Sequence, residues 1–132
     1  MLTLLFFVAF PVEARLLPRF QNARRVTGKV SLGASVSPKL RGDRLALIVT
    51  FGNIQKVASV TYTLMYQTDG VDQGVSGSLD SSAGNSVTRE LLFGTCSSGV
   101  CRYHGNINSM KLEVVSELSS GKRVIKRFRV RV

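Results

Sequence analysis

The sequence contains no tryptophan, a single histidine and two cysteines, and its Asp and Glu residues total 8. Each scarcity removes a class of chemistry. With His104 as the one imidazole, a metal centre built from two or more histidines is excluded. Cys96, Cys101 and His104 have the spacing C-x4-C-x2-H, but a structural zinc site takes about four ligands and the fourth is missing. Beyond Glu13 the acids are Asp43, Asp69, Asp72, Asp80, Glu90, Glu113 and Glu117, and no pair stands out as a glycosidase acid and nucleophile. Ser97, Ser98 and Ser109 lie near His104 in sequence without a nucleophile-elbow pattern. Gly70, Gly74 and Gly77 precede no helix, and no GKS or GKT occurs, so a phosphate-binding loop is absent. The expectation is a protein without catalytic equipment, metal or cofactor.

Long apolar runs are missing as well, with one partial exception at the start. Leu2 to Phe10 is apolar apart from Thr3, and Pro11 and then Val12-Glu13-Ala14 follow. Such a run is too short to cross a bilayer of ~30 Å as a helix. Small or β-branched residues at the third and first positions before a cut suit a signal peptidase, so residues 1–14 read as a signal peptide with cleavage after Ala14. A retained membrane anchor and a buried strand or helix are the rival readings. The expected destination is exported: periplasm, cell surface or extracellular space, with no transmembrane segment in the mature chain. Residues 15–28, with Arg15, Arg19, Arg24 and Arg25 and no acid, read as a basic leader or linker.

What the chain has in quantity is positive charge and β-forming sequence. Lys and Arg total 18, giving a formal net charge of +10. Such a field favours anionic partners. From Lys29 onward short runs alternate with turn signals. Strands are expected at Lys29–Val36, ended by Pro38, and at Arg44–Phe51, which is apolar on both faces. Val57–Gln67 alternates, with Val60, Tyr62, Leu64 and Tyr66 on one face. After the tight turn at Asp69-Gly70 come a Gly-rich edge strand, Val71–Leu79, and a strand at Ser86–Phe93. Gly94–Asn108 reads as a long loop carrying both cysteines. Ser109–Leu118 and Lys122–Val132 complete a hairpin, with Phe128, Val130 and Val132 opposing Arg127, Arg129 and Arg131.

The expected fold is therefore all-β, a two-sheet antiparallel sandwich of about seven strands over residues 29–132. On the alternation of VTYTLMY and MKLEVV and on strand order, the chain resembles the immunoglobulin-like superfold, particularly its fibronectin type III-like variants. The resemblance implies architecture and no binding residues. Copper–zinc dismutases and blue-copper proteins use related sandwiches, and the lone His104 excludes both kinds of site.

Cys96 and Cys101 are expected to pair in a disulfide that shapes an exposed loop, with metal binding or free thiols as the alternatives. His104 reads as a solvated loop residue. The TDGVDQG stretch, holding Asp69 and Asp72, reads as a hairpin turn and not a calcium loop. Cations gather at both ends of the chain: Arg15–Arg44 holds one acid, Asp43, among its lysines and arginines, and Lys111–Val132 holds Glu113 and Glu117. First and last strands commonly lie close in such sandwiches, which would merge the two basic ends. The candidate anion-binding residues are Lys111, Arg123, Arg127, Arg129 and Arg131. The competing reading is a solvated face whose charges protect an edge strand. The functional expectation is a non-enzymatic exported binding or structural module for an anionic envelope polymer, lipid surface or protein partner. A basic nucleic-acid-binding domain is the alternative, and a small hydrolase or metal protein the third.

Overall fold

Alternation of apolar and polar side chains along extended backbone produces two faces per strand, and burying the apolar face assembles the strands into sheets. The computed structural model describes residues 32–132, so the expected signal peptide (1–14), the basic leader (15–28) and the expected start of the first strand at Lys29 lie outside the described residues. The strands are β1 (Ser35–Leu40), β2 (Ala46–Gly52), β3 (Ser59–Thr68), β4 (Val71–Asp80), β5 (Ser86–Leu92), β6 (Gly94–Ser97), β7 (Val100–Tyr103), β8 (Ile107–Glu117) and β9 (Arg123–Arg129). They form a three-stranded sheet ordered β1-β2-β5, a four-stranded sheet ordered β4-β3-β8-β9, and the hairpin β6-β7. Every pairing is antiparallel. The two larger sheets together contain the expected seven strands, and the hairpin is the addition.

One apolar core draws on both larger sheets. Leu47, Val49 and Phe51 come from β2, Val60, Tyr62, Leu64 and Tyr66 from β3, and Met110, Leu112 and Val114 from β8. Phe51 and Tyr62 meet with ring centroids 5.1 Å apart, a contact between the two sheets. In β3 the face expected to be apolar is the buried one throughout.

Several boundaries differ from expectation, each for a local reason. Leu32–Ala34 precede β1 without being strand, and β1 continues through Pro38 instead of ending before it. Pro38 sits opposite Val49 on an edge strand. The Arg41 N–H bond to the Ala46 carbonyl sets the ladder alternation, which points the ring nitrogen of Pro38 outward, where no partner N–H is needed. Arg44 has φ 61° and belongs to the turn, so β2 starts at Ala46. Its outer face is buried only at Ala46: Ile48 is half-buried and Thr50 exposed. A 3-10 turn at Ile54–Lys56 delays β3 to Ser59, and another occupies Ser81–Ala83 within the expected loop after β4.

The largest correction concerns the expected loop from Gly94 to Asn108. It contains β6 and β7 joined by Ser98-Gly99, with φ of 49° and 78°, the signature of a type I′ hairpin turn. Asp69-Gly70 has the same geometry, φ 49° and 77°, between β3 and β4.

Candidate functional site

The charged residues singled out by sequence project from the outer face of β8 and β9. Along β9 exposure alternates, with Arg123, Ile125, Arg127 and Arg129 exposed and Val124, Lys126 and Phe128 half-buried. Arg131 lies past the end of β9 and is exposed, while Val130 packs against the core. Val132, expected on the core side, is exposed.

Register decides which charges meet. Arg123 faces Glu117, Arg127 faces Glu113, and Arg129 faces Lys111. Two of these cross-strand pairs have opposite sign, and Arg127 Nε donates to Glu113 Oε2 at 2.7 Å. Arg127 is 72% exposed, so this ion pair contributes no more than ~1 kcal/mol. The third pair has like charges. Lys111 and Arg129 are also a non-hydrogen-bonded pair, because the Val130 N–H bond to the Met110 carbonyl assigns the ladder bonds to the alternate residues. Side chains at such positions approach more closely than at bonded ones, and like charges there are destabilising.

An open groove of about 680 Å³ is lined by Lys111, Arg129 and Arg131 with Asn108, Ser109 and the chain around Val130. Among the described residues no aspartate or glutamate side chain lines it. Its shape comes from a bulge in β8: Met65 pairs with Lys111 but Gln67 pairs with Asn108, so Ser109 and Met110 together oppose Tyr66. Ser109 has φ 52° to absorb the extra residue. Nothing in the local sequence marks this bulge, and the roles of Asn108 and Ser109 in the groove were not legible beforehand.

The basic N-terminal stretch does not join this face within the described residues. Lys39, Arg41 and Arg44 belong to the three-stranded sheet or its turn, whereas β9 edges the other sheet. Arg41 is tied down by Asp43 at 2.7 Å and Glu90 at 2.5 Å. Those hydrogen bonds hold the Asp43 carboxyl below its ordinary range, Arg41 first and the Leu45 N–H second.

Leu32–Ala34 nevertheless comes close to the inner side of β9. The Ala34 N–H donates to Ser116 Oγ at 3.0 Å, and Lys126 Nζ donates to the Ala34 carbonyl at 2.8 Å.

Around the cysteines the chemistry is closed. Cys96 and Cys101 are disulfide-bonded across the hairpin, with Cα atoms 4.0 Å apart, so neither offers a thiolate to a metal. Among the described residues no group of three or more His, Cys, Asp or Glu is placed to hold a metal ion. His104 is half-buried and not solvated as expected: Tyr66 Oη lies 3.0 Å from its Nδ1. Burial pushes the Tyr66 phenol above its ordinary pKa. The hairpin is anchored at its base by buried Phe93, whose N–H donates to the Leu45 carbonyl and whose carbonyl accepts from the His104 N–H. Tyr103 is exposed on β7. Asp72 accepts from Gln67 Nε2 within the β3–β4 hairpin, and Asp69 in its turn accepts from Asn106 Nδ2 in the segment between β7 and β8.

No protein-family model, no curated protein and no solved structure matches this chain. Any functional reading therefore has to come from its own residues. Among those described, no helix is long and apolar enough to cross a membrane.

Proposed function

We propose that the chain is an exported, non-enzymatic binding or structural module of immunoglobulin-like, fibronectin type III-like build, whose β8–β9 face takes an anionic envelope polymer. The architectural part is supported by strand grouping. First, second and fifth strands share one sheet, while third, fourth and the last two share the other. Export is supported by the Cys96–Cys101 bond, since such bonds persist in oxidising compartments.

The observation that carries the binding reading is the like-charged pair Lys111–Arg129 beside Arg131 at a groove whose side chains include no acid. Placing two cations opposite one another costs stability unless an anion sits between them. An oxyanion in the groove removes that repulsion and gains charge-assisted hydrogen bonds from guanidinium and ammonium groups. Nucleic acid is the weaker occupant. Phe128 is half-buried on the opposite strand face and packs against the core, so the basic face offers no aromatic platform for bases.

Retention on immobilised dextran sulfate tests the reading. Wild type should elute late and progressively earlier as salt screens the charges. Replacing Lys111, Arg129 and Arg131 together by glutamine should weaken binding by about tenfold or more, equivalent to ~1.4 kcal/mol. Arg127→Gln alone, already paired with Glu113, should change it far less. Salt-independent retention, or a triple variant that elutes with wild type, would overturn the assignment.

A further inference from the structure

Among the described residues the four-stranded sheet has two edges, β4 and β9, and the cations of β9 oppose any strand that does not bring acids to meet them. On β9 the exposed positions carry Arg123, Arg127 and Arg129, and Lys126 points inward. On the other sheet, β1 carries Pro38 and Lys39, and β5 carries Arg89 at an inner position. Strand β4 has none of these devices. Its sequence VDQGVSGSLD contains no Lys, Arg or Pro, and its register with β3 runs unbroken from Thr68↔Val71 to Ser59↔Asp80. A long edge without a lysine, arginine, proline or bulge is a template for strand addition.

Ladder alternation identifies the groups that edge presents. Thr68 and Val71 flank the two-residue turn and form a hydrogen-bonded pair, so Val71, Gln73, Val75, Gly77 and Leu79 bond to β3. The backbone groups of Asp72, Gly74, Ser76, Ser78 and Asp80 point outward along the edge, and the same residues are exposed on the outer face. On β9 the equivalent outward set is Arg123, Ile125, Arg127, Arg129 and, past the strand end, Arg131.

These two sets fit one another. In the order β4-β3-β8-β9 each strand opposes the next, so a sheet continued from the β9 of one copy into the β4 of another keeps the antiparallel sense. The register that pairs Asp72 with Arg131 also pairs Asp80 with Arg123, because both acids and both arginines are eight residues apart. Between them Gly74 lies opposite Arg129 and Ser76 opposite Arg127, small residues against long side chains. Asp72 and Asp80 each use Oδ1 in a local hydrogen bond, to Gln67 and to Ser82, which leaves Oδ2 for a neighbour.

We propose that copies of this chain associate head to tail, the β4 edge of one adding to the β9 edge of the next to continue a single antiparallel sheet. The contact is heterologous, so its repetition, with the rotation that sheet twist imposes, generates an open helical filament, or a ring where the rotation closes, and not a two-fold dimer. Net charge of +10 pushes copies apart at long range, and the opposite charges at the two ends of the paired edges select this register over others. The proposal rests on strand order, register and edge charge, and it shares Arg129 and Arg131 with the groove.

Sedimentation velocity over a range of concentrations tests it, with circular dichroism as the check on folding. Wild type should give species that grow beyond the dimer. Ser76→Pro removes an outward N–H without touching the ladder to β3 and should weaken association at least tenfold while dextran sulfate binding persists. Asp72→Arg alone and Arg131→Asp alone should each be monomeric, and mixing the two should restore association. Assembly that persists in Arg131→Asp alone would indicate β4 pairing with β4 and overturn the head-to-tail contact. A wild type that stays monomeric would overturn it too.

Discussion

Replacing Gly77 by alanine puts a methyl group where the Tyr62 ring lies. Gly77 and Tyr62 are directly opposite on β4 and β3, with both side-chain positions on the inner face. A Cβ at position 77 would come within 2.5 Å of Tyr62 Cζ and closer still to its hydroxyl. Tyr62 has little room to retreat, because its ring also meets Phe51 at 5.1 Å across the core. Overpacking of this kind costs ~1–3 kcal/mol, offset by ~0.5–1 kcal/mol because alanine restricts the unfolded chain. The expected net loss is ~0.5–2 kcal/mol, or several degrees in Tm for a domain of about a hundred residues. Gly74 is the internal control. It lies on the same strand on the outer face, and a Cβ there would be 3.6 Å from the Leu64 carbonyl, an ordinary contact. Gly74→Ala should therefore be neutral or slightly stabilising. Urea unfolding followed by far-ultraviolet circular dichroism measures both. A double variant with Tyr62→Val should tolerate Gly77→Ala, since the clash partner is gone. Equal stability of Gly77→Ala and Gly74→Ala in the wild-type background would refute the reasoning.

Other outcomes follow from the hairpin and from the turn after β1. Serine at both Cys96 and Cys101 should cost at most ~2 kcal/mol, the closure entropy of a short ring. Because Thr95–Tyr103 is exposed, hydrogen exchange should accelerate in the hairpin while core amides of β3 and β8 stay protected, and global unfolding would contradict this. Asp43 has its folded pKa depressed, so its contribution is present above the usual carboxylate range and is lost as pH falls through the folded value. Asp43→Asn should flatten the acid limb of the Tm-against-pH curve, and an unchanged limb would show that the Arg41 cluster does not contribute to it.

Sequence periodicity was enough to locate most strands and their faces, because a period of two assigns each side chain to core or solvent as soon as the chain is extended. Val60, Tyr62, Leu64 and Tyr66 on β3, and Met110, Leu112 and Val114 on β8, are buried as the alternation required. The arginines of β9 are displayed for the same reason. Turn chemistry was legible at Asp69-Gly70, where the sequence names the geometry, and not at Ser98-Gly99, whose flanking strands are too exposed to show a core-facing pattern. Pro38 looked like a strand terminator because sequence does not say which side of a strand faces an open edge. Pairing between strands distant in the chain lay beyond reach of any local pattern. That Arg127 meets Glu113 while Arg129 meets Lys111 follows from the β8–β9 register. That a groove opens beside Lys111 follows from a bulge at Ser109 that compensates a one-residue mismatch against β3. Local chemistry decides which way a side chain points along its own strand. Its neighbours, and hence the charge it feels, are decided by register, which is set by the packing of all strands at once.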